Sequence, residues 1–153
     1  MPEVPTIRPE FVRGTFNKII LHHTATPREA RYGVEWCRKL HVEHNGWRDI
    51  GYHFYIEHDG RIREGRPLNM SGAHVRGENR QAIGIAYVGG ILHGEPSCTM
   101  TEDQAMSISA VVDYLRNTIG KPLPLYGHRD FSATFCPGFN VQDYDWQNLK
   151  WLK

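Results

Sequence analysis

The segment Asn17-Lys18-Ile19-Ile20-Leu21-His22-His23 constrains the fold more than any other part of the chain. Three consecutive apolar residues, two of them β-branched, run into the turn-forming Thr24-Ala25-Thr26-Pro27. Such a run reads as a short buried strand that ends at its histidines. A second run, AIGIAYVGG at 82–90, carries its own glycine punctuation and is also short enough for a buried strand. Buried strands have to be covered, and helical patterns lie between them. Val34, Cys37, Leu40 and His41 recur at three- and four-residue spacing, which predicts one face of a helix that stops near His44-Asn45-Gly46. Thr101, followed by Gln104, is a capping-box pattern. Ile108, Val111, Val112, Leu115 and Ile119 supply the stripe behind it, up to Gly120.

Two extended segments flank Asp59-Gly60, the dipeptide best suited to a two-residue hairpin turn. PLPLYGH at 122–128 predicts a short strand that delivers His128 to a loop, and VQDYDWQNLKWL at 141–152 predicts a closing amphipathic helix. Strands and helices interleave, so the expected class is α/β: a single domain with a central mixed β-sheet flanked by helices. No repeat or linker divides the chain, which reads as one domain over 1–153 with an amino-terminal arm at 1–16. At 153 residues it buries roughly 68–70% of the surface its unfolded form exposes, enough to fold without staples. Lys+Arg 18 against Asp+Glu 17, with no long run of one sign, argues against a nucleic-acid partner.

Chemistry concentrates in YGHRDFSATFCPGF at 126–139, where His128 and Cys136 end a stretch too rich in Gly, Ser and Pro for a regular helix. Imidazole nitrogen and thiolate sulfur are preferred zinc ligands. A third candidate stands at the end of the first strand, where successive side chains alternate, so only one of His22 and His23 can join the cluster. Two histidines and a cysteine make three protein ligands, the number a catalytic zinc keeps when its fourth position holds water. The rival reading of Cys136 is a disulfide with Cys98. The odd set Cys37, Cys98 and Cys136, without a CxxC pair, speaks against a disulfide framework, and Cys37 on the apolar stripe reads as a small core residue. The amino terminus holds no apolar run of signal-peptide length and no segment approaches a membrane span, so synthesis and folding in the cytoplasm without membrane insertion are expected.

Four pieces in order, IILHHTAT (19–26), GWRDIGYHFYIEHDGRIREGR (46–66), SGAH with NRQAIGIAYVGG (71–90) and GHRDFSATFCPG (127–138), resemble the zinc-dependent N-acetylmuramoyl-L-alanine amidases of the phage-endolysin and peptidoglycan-recognition-protein superfamily. The resemblance implies one zinc per chain held by His22, His128 and Cys136, and a catalytic tyrosine at Tyr52. Thr134 falls where many phage enzymes carry a lysine, so a neutral hydroxyl replaces a charge beside the oxyanion. It places the loop of His74 over the substrate cleft, which makes His74 a candidate substrate contact. Trp47 is a candidate to stack on a sugar ring, with simple packing as its rival role. His53 is expected in the core or behind the site, and His41, His44, His58 and His93 at the surface or at helix ends. No HExxH helix supplies a general base.

The implied activity is hydrolysis of the amide between N-acetylmuramic acid and the first L-alanine of the peptidoglycan stem peptide. Its expected setting is a monomeric lysis enzyme of phage or prophage type that reaches the wall after membrane permeabilisation. Two rivals share the resemblance. Muropeptide-binding modules of the same fold commonly lack the cysteine ligand, and cytoplasmic recycling amidases usually offer aspartate as third ligand at a longer spacing. Cys136, eight residues after His128, favours the endolysin branch.

Overall fold

The computed structural model describes residues 2–28 and 32–152. In chain order the elements are β1 (Lys18–His23), β2 (Thr26–Pro27), α1 (Val34–Lys39), β3 (Phe54–Ile56), β4 (Ile62–Glu64), β5 (Ala82–Tyr87), β6 (Gly90–Leu92), β7 (Glu95–Pro96), α2 (Glu102–Ile119), β8 (Leu125–Gly127), β9 (Tyr144–Asp145) and β10 (Lys150–Trp151). Five strands form the central sheet in the order β4-β3-β5-β1-β8. β4 runs antiparallel to β3, and the other neighbours are parallel, so the sheet is mixed as the interleaved pattern predicts.

Alternation along the strands divides the sheet into two unlike faces. Ile19 and Leu21 of β1, Phe54 and Ile56 of β3, and Ile83, Ile85 and Tyr87 of β5 pack with Ile108, Val111, Val112 and Leu115 of α2. The opposite face of β5 carries only Ala82, Gly84 and Ala86, and the last two pair with Ile20 and His22 of β1. Large residues thus build the core under α2, while small ones leave room on the other face.

α2 follows its sequence signals closely. The Thr101 hydroxyl accepts the Gln104 N–H and the Gln104 side chain accepts the Thr101 N–H, both at 3.0 Å. Gly120 ends the helix at φ 75, a left-handed conformation that glycine adopts without steric cost. The amino-terminal segment is tied to the body: Val4, Ile7 and Val12 pack on the main cluster, and the Ile7 N–H donates to the Tyr114 hydroxyl at 3.2 Å. Among the described residues no helix is long and apolar enough to cross a membrane.

Three local expectations need correction. The helix predicted from Val34 to near His44-Asn45-Gly46 is α-helical only to Lys39 and continues as a π-turn over Leu40–His44. The Asn45 N–H bonds to the Leu40 carbonyl, which widens the turn. Cys37 and His41 are buried as the stripe predicts, while Leu40 faces solvent. In the β3–β4 hairpin the Gly60 N–H closes on the Glu57 carbonyl and the Glu57 N–H on Arg61, leaving a three-residue loop with Gly60 at φ 90 instead of a two-residue turn. The predicted closing helix is a 3₁₀ turn at Val141–Asp143 and the β9–β10 hairpin. Asp145 accepts the backbone N–H groups of Gln147 and Asn148, a local alternative to helical bonding. Tyr144 and Trp151 then meet Phe139 and Trp146 in one aromatic cluster.

Candidate active site

β1 and β8 run side by side with Leu21 opposite Gly127, so the next residues, His22 and His128, emerge together at the carboxyl edge of the parallel strands. Loops at such edges are the usual place for sites on open sheets. His128 opens a single 3₁₀ turn, His128–Asp130, whose start is held by the Gly127 N–H to the Asp130 carboxylate at 2.8 Å. The chain then loops back, and the Arg129 N–H donates to the Cys136 carbonyl at 2.9 Å, bringing the thiol to the two rings.

The nearest ligand atoms of His22, His128 and Cys136 all lie within 4.8 Å of one another. The His22 Nδ1 to Cys136 Sγ separation is 3.8 Å, against about 3.6 Å for the edge of a zinc tetrahedron built from ordinary Zn–N and Zn–S bonds. Burial holds the pKa of His22 well below its ordinary value, with the His74 and His128 rings adding to the effect, and burial also lowers His128. Both imidazoles are therefore neutral and free to ligate. Burial pushes the Cys136 thiol up to about 12, partly offset by the His23 N–H that donates to its sulfur at 3.3 Å and by Arg129. A divalent cation is what would make this thiol give up its proton at neutral pH. Two neutral imidazoles and a deprotonatable thiol at these separations fit zinc. All three cysteines are free, so Cys136 has no disulfide with Cys98.

His23 points away from this cluster, as alternation requires. Its Nδ1 accepts the Ala25 N–H at 3.1 Å and its ring meets Tyr87 edge-on. Tyr52 lies on the site side, with its ring centroid 5.1 Å from that of His22. Burial first, then the Cys37 and Cys136 thiols, raise its phenol far above the ordinary value, so it remains a proton donor. The Thr134 hydroxyl oxygen accepts the Cys136 N–H at 3.3 Å, which leaves the hydroxyl proton free to be donated.

Trp47 is farther out. Its ring packs on His41 at 4.7 Å, and His41 in turn faces Tyr52 at 5.5 Å. Trp47 is 37% exposed and borders a cavity of about 460 Å³ with Arg13, Arg48, Asn69 and Ser71. His41, expected at the surface or at a helix end, lies in the π-turn that ends the first helix; it is buried, and its Nδ1 accepts the Gly51 N–H at 2.9 Å. His74, a candidate substrate contact, has its Nδ1 2.9 Å from His22 Nε2 and its Nε2 3.0 Å from the Ala82 carbonyl oxygen, so both ring nitrogens have partners within the chain.

Sequence reasoning missed Arg66. Its buried guanidinium donates to the carbonyls of Asp49, Ile50 and Ser71, joining the segment that leads into Tyr52 to the loop that carries His74. A lone arginine in a hairpin carries no sequence signal for that role. The small residues of AIGIAY did carry one: their alternation with isoleucine and tyrosine marks the face left open.

His53 is in the core, as expected. Its Nδ1 accepts the Gly84 N–H at 3.1 Å, its Nε2 pairs with the Met70 carbonyl at 2.9 Å, and burial pushes its pKa down to about 4. The unfolded chain therefore takes up this proton first as pH falls through about 6.5, and the loss of stability continues down to about 4. At pH 5 the cost is about 2 kcal/mol from this one residue. Urea midpoints of metal-free protein are expected to fall between pH 7 and pH 5, and midpoints unchanged over that range would contradict a neutral buried His53.

The layered sheet with a histidine- and cysteine-lined edge defines the chain as an α/β enzyme of the amidase and peptidoglycan-recognition fold. Residues 13–139 match the family model described as N-acetylmuramoyl-L-alanine amidase, and the chain belongs to that family of enzymes. It is 34% identical over 138 residues to an endolysin of Enterobacteria phage K11, covering 90% of this chain and 85% of that one. It is 33% identical over 140 residues to peptidoglycan-recognition protein SC2 of Drosophila melanogaster, covering 86% and 74% respectively. Among solved structures, the endolysin and N-acetylmuramoyl-L-alanine amidase LysCS of Clostridium intestinale superposes with a TM-score of 0.68 at 33% identity, covering 88% of this chain and 81% of that one.

Proposed function

We propose that the chain cleaves the amide bond between the lactyl group of N-acetylmuramic acid and the first L-alanine of the stem peptide, with one zinc held by His22, His128 and Cys136. The observation that carries this reading is the convergence of those three ligand atoms beside the Tyr52 ring. When bound, zinc supplies the Lewis acidity that amide hydrolysis needs at neutral pH. Tyr52, held protonated by burial, donates its hydroxyl to the oxygen on which negative charge gathers as the carbonyl is attacked. Thr134 offers the second hydroxyl, its oxygen anchored by the Cys136 N–H. Trp47 and the polar groups around its cavity take the sugar, aromatic face against ring. The whole chain, 1–153, acts as one monomeric domain of a phage or prophage-type lysis enzyme and works on the wall after release from the cytoplasm, which the likeness to phage endolysins supports.

Digestion of purified peptidoglycan followed by mass spectrometry tests the reaction. The expected products are glycan chains with free lactyl carboxylates and stem peptides with free alanine amines. Protein that sediments with the wall and releases neither product would be a binding module instead.

For Thr134, replacement by valine keeps the shape and removes the donor. Turnover on a soluble muropeptide is expected to fall about a hundredfold with KM nearly unchanged, because the lost contact belongs to the transition state. Thr134→Ser keeps most of the rate. Valine at wild-type turnover and equal zinc content would leave the charge to Tyr52 and zinc alone.

A further inference from the structure

His74 sits against His22 in a place that the fold shapes closely. Its ring occupies a slot that two glycines leave open: a Cβ at Gly72 would lie 2.4 Å from the ring, and a Cβ at Gly84 2.8 Å. Asn79 holds its backbone, the side-chain oxygen accepting the N–H groups of His74 and Val75 at 2.8 and 2.9 Å. Position and orientation of this ring are thus built into the fold.

The hydrogen bonds then set the protons. The Ala82 carbonyl oxygen, 3.0 Å from His74 Nε2, only accepts, so Nε2 carries the hydrogen. In a neutral ring the other nitrogen, Nδ1, is then a bare acceptor, and it lies 2.9 Å from His22 Nε2. His22 must donate from Nε2, which leaves the lone pair on His22 Nδ1, the nitrogen 3.8 Å from Cys136 Sγ. The chain Ala82 carbonyl, His74, His22 therefore decides which nitrogen of His22 is offered to the cluster. We propose that His74 is a positioning residue that fixes the tautomer and ring orientation of His22, and so prepares the zinc site before any metal arrives.

This role rests on the zinc site proposed above, and two measurements keep the two apart. The first is nitrogen-15 NMR of metal-free wild-type protein. Expected are hydrogens on Nε2 of both His22 and His74, and a direct coupling across the Nε2–H to Nδ1 hydrogen bond between them. A hydrogen on His22 Nδ1, or absence of that coupling, overturns the proposal whatever the metal does.

The second measurement is zinc affinity by competition with a chelator, with melting temperature as the check on folding. His74→Phe fills the slot without an acceptor and is expected to bind zinc ten- to a hundredfold more weakly. His74→Asn places an oxygen where Nδ1 was and is expected to stay within about threefold of wild type, a rescue that mere packing does not explain. Folded His74→Phe that binds within twofold of wild type overturns the relay. If the phenylalanine variant does not fold, the wild-type NMR result decides. Wild-type protein that binds no zinc at all would sink the functional reading, while the tautomers of His22 and His74 would still decide whether the relay exists.

Discussion

Loss of zinc and loss of wall digestion are expected together when Cys136 and His22 are both replaced by alanine. The double variant leaves only the half-buried His128 of the three converging ligands, and a single imidazole does not hold zinc at the concentrations a purified enzyme carries. Bound zinc is expected to fall from about one per chain to near zero, and turnover by at least about a thousandfold, since in the proposed reaction the metal supplies the Lewis acidity, worth several kcal/mol. The single variant Cys136→Ser is expected to lose most of its zinc as well, because a hydroxyl is a far weaker ligand than a thiolate. Elemental analysis and digestion rates on the same samples check both. In wild type, a chelator is expected to abolish activity and added zinc to restore it. Full metal retention in the double variant would remove this site from the enzyme.

Replacement of Tyr52 by phenylalanine is expected to separate chemistry from metal binding. The ring packs with Cys37, Ile50, Tyr55 and Val88 and stays in place, so the fold and the zinc content are retained. What goes is a hydroxyl that burial keeps protonated beside His22. Removing one such donor from an oxyanion costs about 2.7–4 kcal/mol, a hundred- to a thousandfold in rate. The loss is expected in kcat, with KM little changed, because the contact tightens only as charge develops. Equal rates for Tyr52→Phe and wild type at equal zinc would reduce Tyr52 to a packing residue.

Several features of this site are legible in the sequence, for reasons that are local. The strand at Lys18–His23 is a run of apolar residues with its histidines at the end, and strand alternation already separates His22 from His23. The capping box and the left-handed Gly120 bracket α2 through contacts within a few residues. Pattern and structure part where local and distant forces compete. The segment after Val141 has helical spacing, yet Asp145 satisfies the next backbone N–H groups itself, and the tryptophans are claimed by an aromatic cluster with Phe139. In the first helix Cys37 and His41 keep the buried stripe that their spacing predicts, while Leu40, where the wide turn begins, faces solvent, a departure that no periodicity shows.

By itself the amino-acid sequence determined the α/β class, the five strands of the central sheet with the two helices between them, and the residue types that carry the chemistry, because propensity, periodicity and capping act over a few neighbouring residues. Only the tertiary structure decided which of these meet. His22 and His128 stand side by side through the register of β1 on β8, and His74, distant in sequence from both, reaches His22 through a slot opened by Gly72 and Gly84. Arg66 likewise ties the segment before Tyr52 to the loop that leads to His74 through the carbonyls of Asp49, Ile50 and Ser71. Such roles depend on hydrogen-bond direction and on the space a missing Cβ leaves. Both exist only once remote segments are packed together, and so the part played by His74 is readable from its two partners and not from its motif.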